Sequence, residues 1–75
     1  MFKRVEEIIR KTFGKDGVSI TEETNLIDDL GLNSLELAEL VYVFEEEFNI
    51  EIPDRDIVNF RTVNDIVSYL KVLTK

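Results

Sequence analysis

The sequence predicts an all-α protein: a small four-helix bundle with three longer helices, one short third helix, and a long ordered loop between the first two. Three observations carry this. Apolar residues recur at helical spacing in three separate segments, no pair of segments alternates as strands do, and Gly14, Asn33, Pro53 and Thr62 punctuate the periodic stretches as helix stops and starts. With 75 residues, 44% of them hydrophobic, the chain suffices for a single domain over residues 1–75 around one modest core.

The first helix is read from Phe2, Val5, Ile8, Ile9 and Phe13, which form one apolar stripe, while Lys3, Arg4, Glu6, Glu7, Arg10 and Lys11 turn outward. Gly14 ends it, and Lys15-Asp16-Gly17 reads as a turn. Residues 18–33 show neither helical nor strand period. A connection this long in so small a domain is expected to be a functional loop. Val18, Ile20, Leu26, Ile27, Leu30 and Leu32 are the candidates to pin it to the bundle, with Thr21, Thr24, Asn25 and Asp28 supplying turn hydrogen bonds.

The second helix, Ser34 to Phe48, carries Leu37, Leu40, Val41, Phe44 and Phe48 on its core-facing arc. Its opposite arc mixes Leu35 and Tyr42 with Glu39 and Glu46, and Val43 and Glu36 lie alongside. That arrangement has the look of a docking strip. Scattered exposed apolar residues are nevertheless ordinary on a small protein, and Glu45-Glu46-Glu47 can be a solvated helix end, so the helix alone favours a solvated face over a docking strip. Glu45-Glu46-Glu47 in the last turn oppose the helix dipole at a cost of a few tenths of a kcal/mol, which calls for either tolerance or a basic partner. Asn49 to Pro53 follows as an extended connector, Asp54 to Phe60 as a short third helix, and a fourth helix is capped by Thr62 with Asp65. Val63, Ile66, Val67, Leu70 and Leu73 form the core stripe of that last helix.

Composition excludes several functions. No histidine or cysteine is present, which removes the usual general base, the Ser-His-Asp arrangement, disulfides and cysteine-based metal sites together. The domain is therefore read as having no catalytic site and no metal centre. Asp28-Asp29-Leu30-Gly31 lacks the ligand alternation of an EF-hand loop, and Asp28, Asp29, Asp54 and Asp56 read as solvated carboxylates. The net charge of −7 is concentrated: residues 1–17 carry +2, residues 18–54 carry −11 without one Lys or Arg, and residues 55–75 carry +2. Such a belt is repelled by a phosphate backbone, so nucleic acid is a poor partner and a basic protein surface a good one. No signal peptide is visible and no apolar run approaches the roughly 18 residues of a membrane span, so a cytosolic monomer without membrane insertion is expected.

At the start of the second helix Asn33 is a good N-cap and Glu36 its capping-box partner, which leaves Ser34 free of capping duty, beside unpaired N–H groups that favour an anion. The run Leu30-Gly31-Leu32-Asn33-Ser34-Leu35-Glu36 resembles the phosphopantetheine attachment motif of acyl carrier proteins. The resemblance extends over nearly the whole chain: Asp28-Asp29-Leu30-Gly31 before the motif, Phe44-Glu45-Glu46-Glu47-Phe48 at the helix end, then Ile50-Glu51-Ile52-Pro53-Asp54 and Thr62-Val63-Asn64-Asp65. It implies that Ser34 bears a 4'-phosphopantetheine arm installed from coenzyme A by a phosphopantetheinyl transferase using Mg²⁺, with acyl groups held on its thiol as thioesters. It also implies that loading and transferring enzymes with basic patches dock on the second helix, giving Asn33, Leu35, Glu36, Glu39, Tyr42, Glu45 and Glu46 as partner-binding residues. That set largely coincides with the strip found from helical geometry, which turns the balance towards a docking surface.

Two departures stand out. Asn33 replaces the Asp that the family nearly always has before the serine; the cap is kept and the charge lost, which points to a specialised carrier with its own partners. Phe44 and Phe60 stand where aliphatic residues usually face the acyl chain, implying a smaller interior and a short or unusual cargo. The leading expectation is an acyl carrier of fatty acid, polyketide or related biosynthesis. An aminoacyl or peptidyl carrier, and an unmodified acidic interaction module of the same fold, remain as alternatives.

Overall fold

The computed structural model describes residues 1–15 and 17–74, which form four α-helices: α1 (Phe2–Phe13), α2 (Ser34–Phe48), α3 (Asp54–Ile57) and α4 (Val63–Leu73). Helix α1 packs against both α4 and α2. Its stripe buries Val5, Ile8 and Ile9, and it ends where Gly14 adopts a left-handed conformation (φ 62°) and donates its N–H to the Arg10 carbonyl. Arg10 also shapes the exit: its guanidinium bonds Glu6 one turn back at 2.9 Å and the Lys15 carbonyl at 2.7 Å. The turn expected over Lys15-Asp16-Gly17 includes Asp16, which lies outside the described residues.

Helix α2 buries Leu37, Leu40, Val41 and Phe44 as its period requires, with Phe48 half-buried. Val43 departs from expectation, being half-buried and packed on the core instead of standing on the outer face. The acidic last turn of α2 is absorbed by the fold. Glu47 pairs with Arg4 of α1 at 3.0 Å, and Glu45 accepts the N–H of Ile52 at 2.8 Å, fixing the connector that returns from Asn49. Both bonds oppose the cost of placing carboxylates at the negative end of a helix.

The long loop is ordered by turn hydrogen bonds from Thr21, Thr24 and Asn25: the Thr24 hydroxyl accepts the Thr21 N–H at 2.8 Å and the Thr21 hydroxyl the Glu23 N–H at 3.2 Å. Asn25 accepts the N–H groups of Ile27 and Asp28 on its side-chain oxygen at 2.9 and 2.8 Å, and its own N–H is held by Asp29 at 2.7 Å. The carboxylate in this turn is therefore that of Asp29, and Asp28 contributes only its backbone N–H. Ile20, Leu26, Leu30 and Leu32 are buried as expected, whereas Val18 and Ile27 are exposed and do not pin the loop. Three backbone bonds stitch the loop to the entry of α4: Leu26 N–H to Arg61 at 2.8 Å, Val63 N–H to Thr24 at 3.0 Å and Asn64 N–H to Glu22 at 2.9 Å. An isolated antiparallel bridge, Asn25 with Thr62, lies within this seam. The radius of gyration, 11.2 Å, matches the ~11 Å of a compact chain of this length, as a loop wrapped on the bundle requires.

The third helix is shorter than the sequence suggests. It covers Asp54–Ile57, and the expected continuation to Phe60 becomes two tight turns, Asn59 N–H to Asp56 and Phe60 N–H to Ile57. The chain must leave the helix there to bury Phe60 and to bring the Arg61 carbonyl to Leu26. Helix α4 opens on the Thr62–Asp65 capping box and buries Val63, Ile66, Val67 and Leu70. Leu73, expected in that stripe, is exposed because the core ends one turn earlier. No helix among the described residues is long and apolar enough to cross a membrane.

Candidate functional site

The approach to Ser34 is set by the turn before it. Gly31 has φ 71°, a left-handed conformation costly for other residues, and it lies in open space, so the backbone angle and not crowding selects glycine. Leu32 then drops into the core and Asn33 takes the extended conformation of an N-cap. Its side-chain oxygen accepts the Glu36 N–H at 2.8 Å while Glu36 returns a carboxylate oxygen to the Asn33 N–H at 3.2 Å. The Leu37 N–H is taken by the Asn33 carbonyl.

That arrangement leaves Ser34 as the first residue of a 15-residue helix, exposed, with its hydroxyl in no hydrogen bond to the described residues. The N–H groups of Ser34 and Leu35 point out of the helix start without partners there. Ser34 stands at the edge of a depression of about 370 Å³, lined by Ile27, Leu37, Ile57, Val58, Phe60 and Arg61. Leu37 and Phe60 are buried residues; Val58 is 75% and Ile27 50% exposed at its rim. Phe60 is steadied by an edge-to-face contact with Tyr69 at 5.2 Å. Phe44 does not line the depression: it is fully buried, with its ring 6.3 Å from that of Phe48.

The outer arc of α2 divides into two groups. Leu35, 79% exposed, and Tyr42, 61% exposed, stand out with Glu39 and Glu46. The Glu46 carboxylate, chiefly as a hydrogen-bond acceptor and then through its charge, raises the pKa of the Tyr42 hydroxyl above its ordinary value. Glu36 and Glu45, by contrast, are half-buried and already serve the cap and the connector. Asn33 is exposed, with its side-chain oxygen engaged in the cap.

Sequence reasoning missed several residues around Ser34. Ile27, Ile57, Val58 and Arg61 reach it from the loop, from α3 and from the entry of α4, and no single helical period joins them. It also missed the bond from the Tyr69 hydroxyl to Asp56, 2.7 Å, which ties α3 to α4. This bond, followed by burial and by the Asp56 charge, pushes the Tyr69 pKa up to about 12.

Comparison with known proteins agrees with the geometry. Residues 3–70 match the family described as "Phosphopantetheine attachment site". An acyl carrier protein of Thermotoga maritima is 46% identical over 71 residues, 95% of this chain and 88% of the relative. One from Clostridium acetobutylicum is 41% identical over 75 residues, covering 100% of this chain and 97% of the relative. A solved structure described as an acyl carrier protein from Mycobacterium tuberculosis superposes with a TM-score of 0.88 at 35% identity, over 96% of each chain. The chain belongs to the phosphopantetheine-attachment family of acyl carrier proteins, small helical domains that hold a covalently attached 4'-phosphopantetheine and act as carriers, not enzymes.

Proposed function

We propose that Ser34 is the attachment residue, and that the chain works as a single carrier domain over residues 1–75, holding acyl groups for fatty acid or related biosynthesis. The observation that carries this reading is the free, exposed Ser34 hydroxyl on the first turn of a helix whose cap is supplied entirely by its neighbours. A phosphodiester fits there. The Ser34 and Leu35 N–H groups and the positive end of the α2 dipole favour an anion, and the apolar depression beside it offers Leu37, Ile57 and Phe60 to the arm. When attached, the arm supplies a terminal thiol for thioester linkage, a group this cysteine-free chain lacks.

The chain's own work is presentation. Leu35, Glu39, Tyr42 and Glu46 form an exposed face of apolar and acidic character beside Ser34, suited to the basic surface of a phosphopantetheinyl transferase or acyl-transferring enzyme. Glu36 and Glu45 contribute to that face by charge while serving the fold, and Asn33 leaves it neutral at its start. Phe60 stands in the lining of the depression at Ser34, which supports a short acyl cargo. A cytoplasmic monomer is the corresponding state.

Intact mass before and after incubation with coenzyme A and a broad-specificity transferase tests the reading. One phosphopantetheine addition on the wild type and none on Ser34→Ala is expected. No addition on the wild type favours an unmodified interaction module, and addition that persists in the variant removes Ser34 from the role.

A further inference from the structure

Residues 18–54 contain no lysine or arginine, so any cation near Ser34 has to come from another part of the chain. Arg61 does so: it lines the same depression as Ser34 and, among the described residues lining it, is the one that carries a charge. Its backbone is held on both sides. The N–H donates to Asp65 at 3.0 Å, and the carbonyl accepts from Leu26 of the loop that leads to Ser34 at 2.8 Å. The root of the side chain is thereby fixed relative to the start of α2. Arg61 itself is exposed, and its guanidinium enters neither of the ion pairs found among the described residues. Asp65, the acid close by in sequence, accepts the N–H groups of Arg61 and Thr62 and feels the Arg61 charge without forming an ion pair with it. On the other side of Ser34, Asn33 caps the helix without a charge that would repel an anion or compete for the cation.

We propose that Arg61 is a positioning residue for the arm: its guanidinium pairs with the phosphodiester on Ser34 and holds the first bonds of the arm against Leu37, Ile57 and Phe60. The proposal rests on the assignment of Ser34. A planar guanidinium fork matches two non-bridging phosphate oxygens. Anchored in this way, the arm starts from a defined direction and is less free to sweep the acidic face of α2.

The test compares apo and modified forms of the wild type, Arg61→Gln, Arg61→Lys and the control Arg55→Gln, with intact mass establishing complete modification of each. At low ionic strength the modified wild type and R55Q are expected to melt about 2–4 °C above their apo forms, as a partly exposed ion pair in a domain of this size gives. That gain vanishes at 1 M salt, where the screening length falls to about 3 Å. R61Q shows no gain although its mass proves it modified, and R61K keeps part of it. In ¹⁵N NMR the Arg61 Nε–H resonance shifts on modification and that of Arg55 does not. An R61Q gain equal to that of the wild type, or an unmoved Arg61 resonance, overturns the proposal. If R61Q resists modification, the Arg61 resonance of the wild type decides alone. A wild type that gains no mass removes the Ser34 assignment first and this proposal with it.

Discussion

Helices α2 and α4 begin with the same device set in opposite phase. Each carries a complete capping box, Asn33 with Glu36 and Thr62 with Asp65. The residue before the cap is the buried Leu32 in α2 and the exposed Arg61 in α4, while the first helical residue is the exposed Ser34 in one and the fully buried Val63 in the other. A capping box satisfies the helix start without deciding which side of the first turn faces the core. The seam between loop and α4 decides it: Leu26, Thr24 and Glu22 bond Arg61, Val63 and Asn64 and turn Val63 inward. One hydrogen-bond pattern therefore yields a core anchor at α4 and an available hydroxyl at α2.

Exchanging the character of the two first residues breaks the comparison most sharply. Val63→Ser empties a fully buried site and puts a hydroxyl there, which is expected to cost about 2–4 kcal/mol in urea unfolding. Ser34→Ala is expected to abolish modification while changing stability by less than about 0.5 kcal/mol. Equal costs at the two positions would show that the helix starts are not in opposite phase.

The caps themselves should respond alike. Asn33→Ala and Thr62→Ala are each expected to lose about 1 kcal/mol, whereas Asn33→Asp keeps stability within about 0.5 kcal/mol, because the two side chains cap equally well. Any effect of Asn33→Asp on transferase or partner kinetics then reports charge and not folding.

Around α4 the titrating groups give two smaller effects of opposite sign. The Tyr69 pKa is raised to about 12 by its bond to Asp56, so the folded state prefers the protonated phenol. That contribution is complete below the ordinary value of 10.0 and is lost as pH rises towards 12. Tyr69→Phe is expected to melt lower than the wild type near neutrality, by the equivalent of about 1 kcal/mol, and the gap should close in alkaline solution. Asp65 is the reverse. Burial pushes its carboxyl up, but the N–H groups of Thr62 and Arg61, the Thr62 side chain and the Arg61 charge together hold it below 3.8. Its contribution is present above that value and is lost as pH falls through the lower folded one, so the advantage of the wild type over Asp65→Asn should shrink in acid melts.

Much of this was legible in the chain because helical period is a local property. The stripes of α1 and α2 and most of that of α4 reappear as faces packed on the core, with Phe2, Phe13 and Phe48 half-buried at their ends, and both capping boxes were visible as spaced pairs. The failures share one physical cause, contacts distant in sequence. Val43 is drawn inward and Leu73 left outside by where the core happens to end. Helix α3 stops at Ile57 because Phe60 and Arg61 have destinations in the core and on the loop. That the cap belongs to Asn33 and Glu36 and leaves the Ser34 hydroxyl free was readable, while the depression beside Ser34 was not, since Ile27, Ile57, Val58 and Arg61 converge from three segments. The glutamates ending α2 likewise looked unopposed until Arg4 and the Ile52 N–H were brought to them by the fold.

The chain has three serines, Ser19, Ser34 and Ser68, and all three are exposed. Peptide mapping of the modified protein by tandem mass spectrometry therefore tests the account most directly. It predicts phosphopantetheine on the peptide containing Asn33-Ser34-Leu35 and on no other; modification found on Ser19 or Ser68, with Ser34 unmodified, contradicts it.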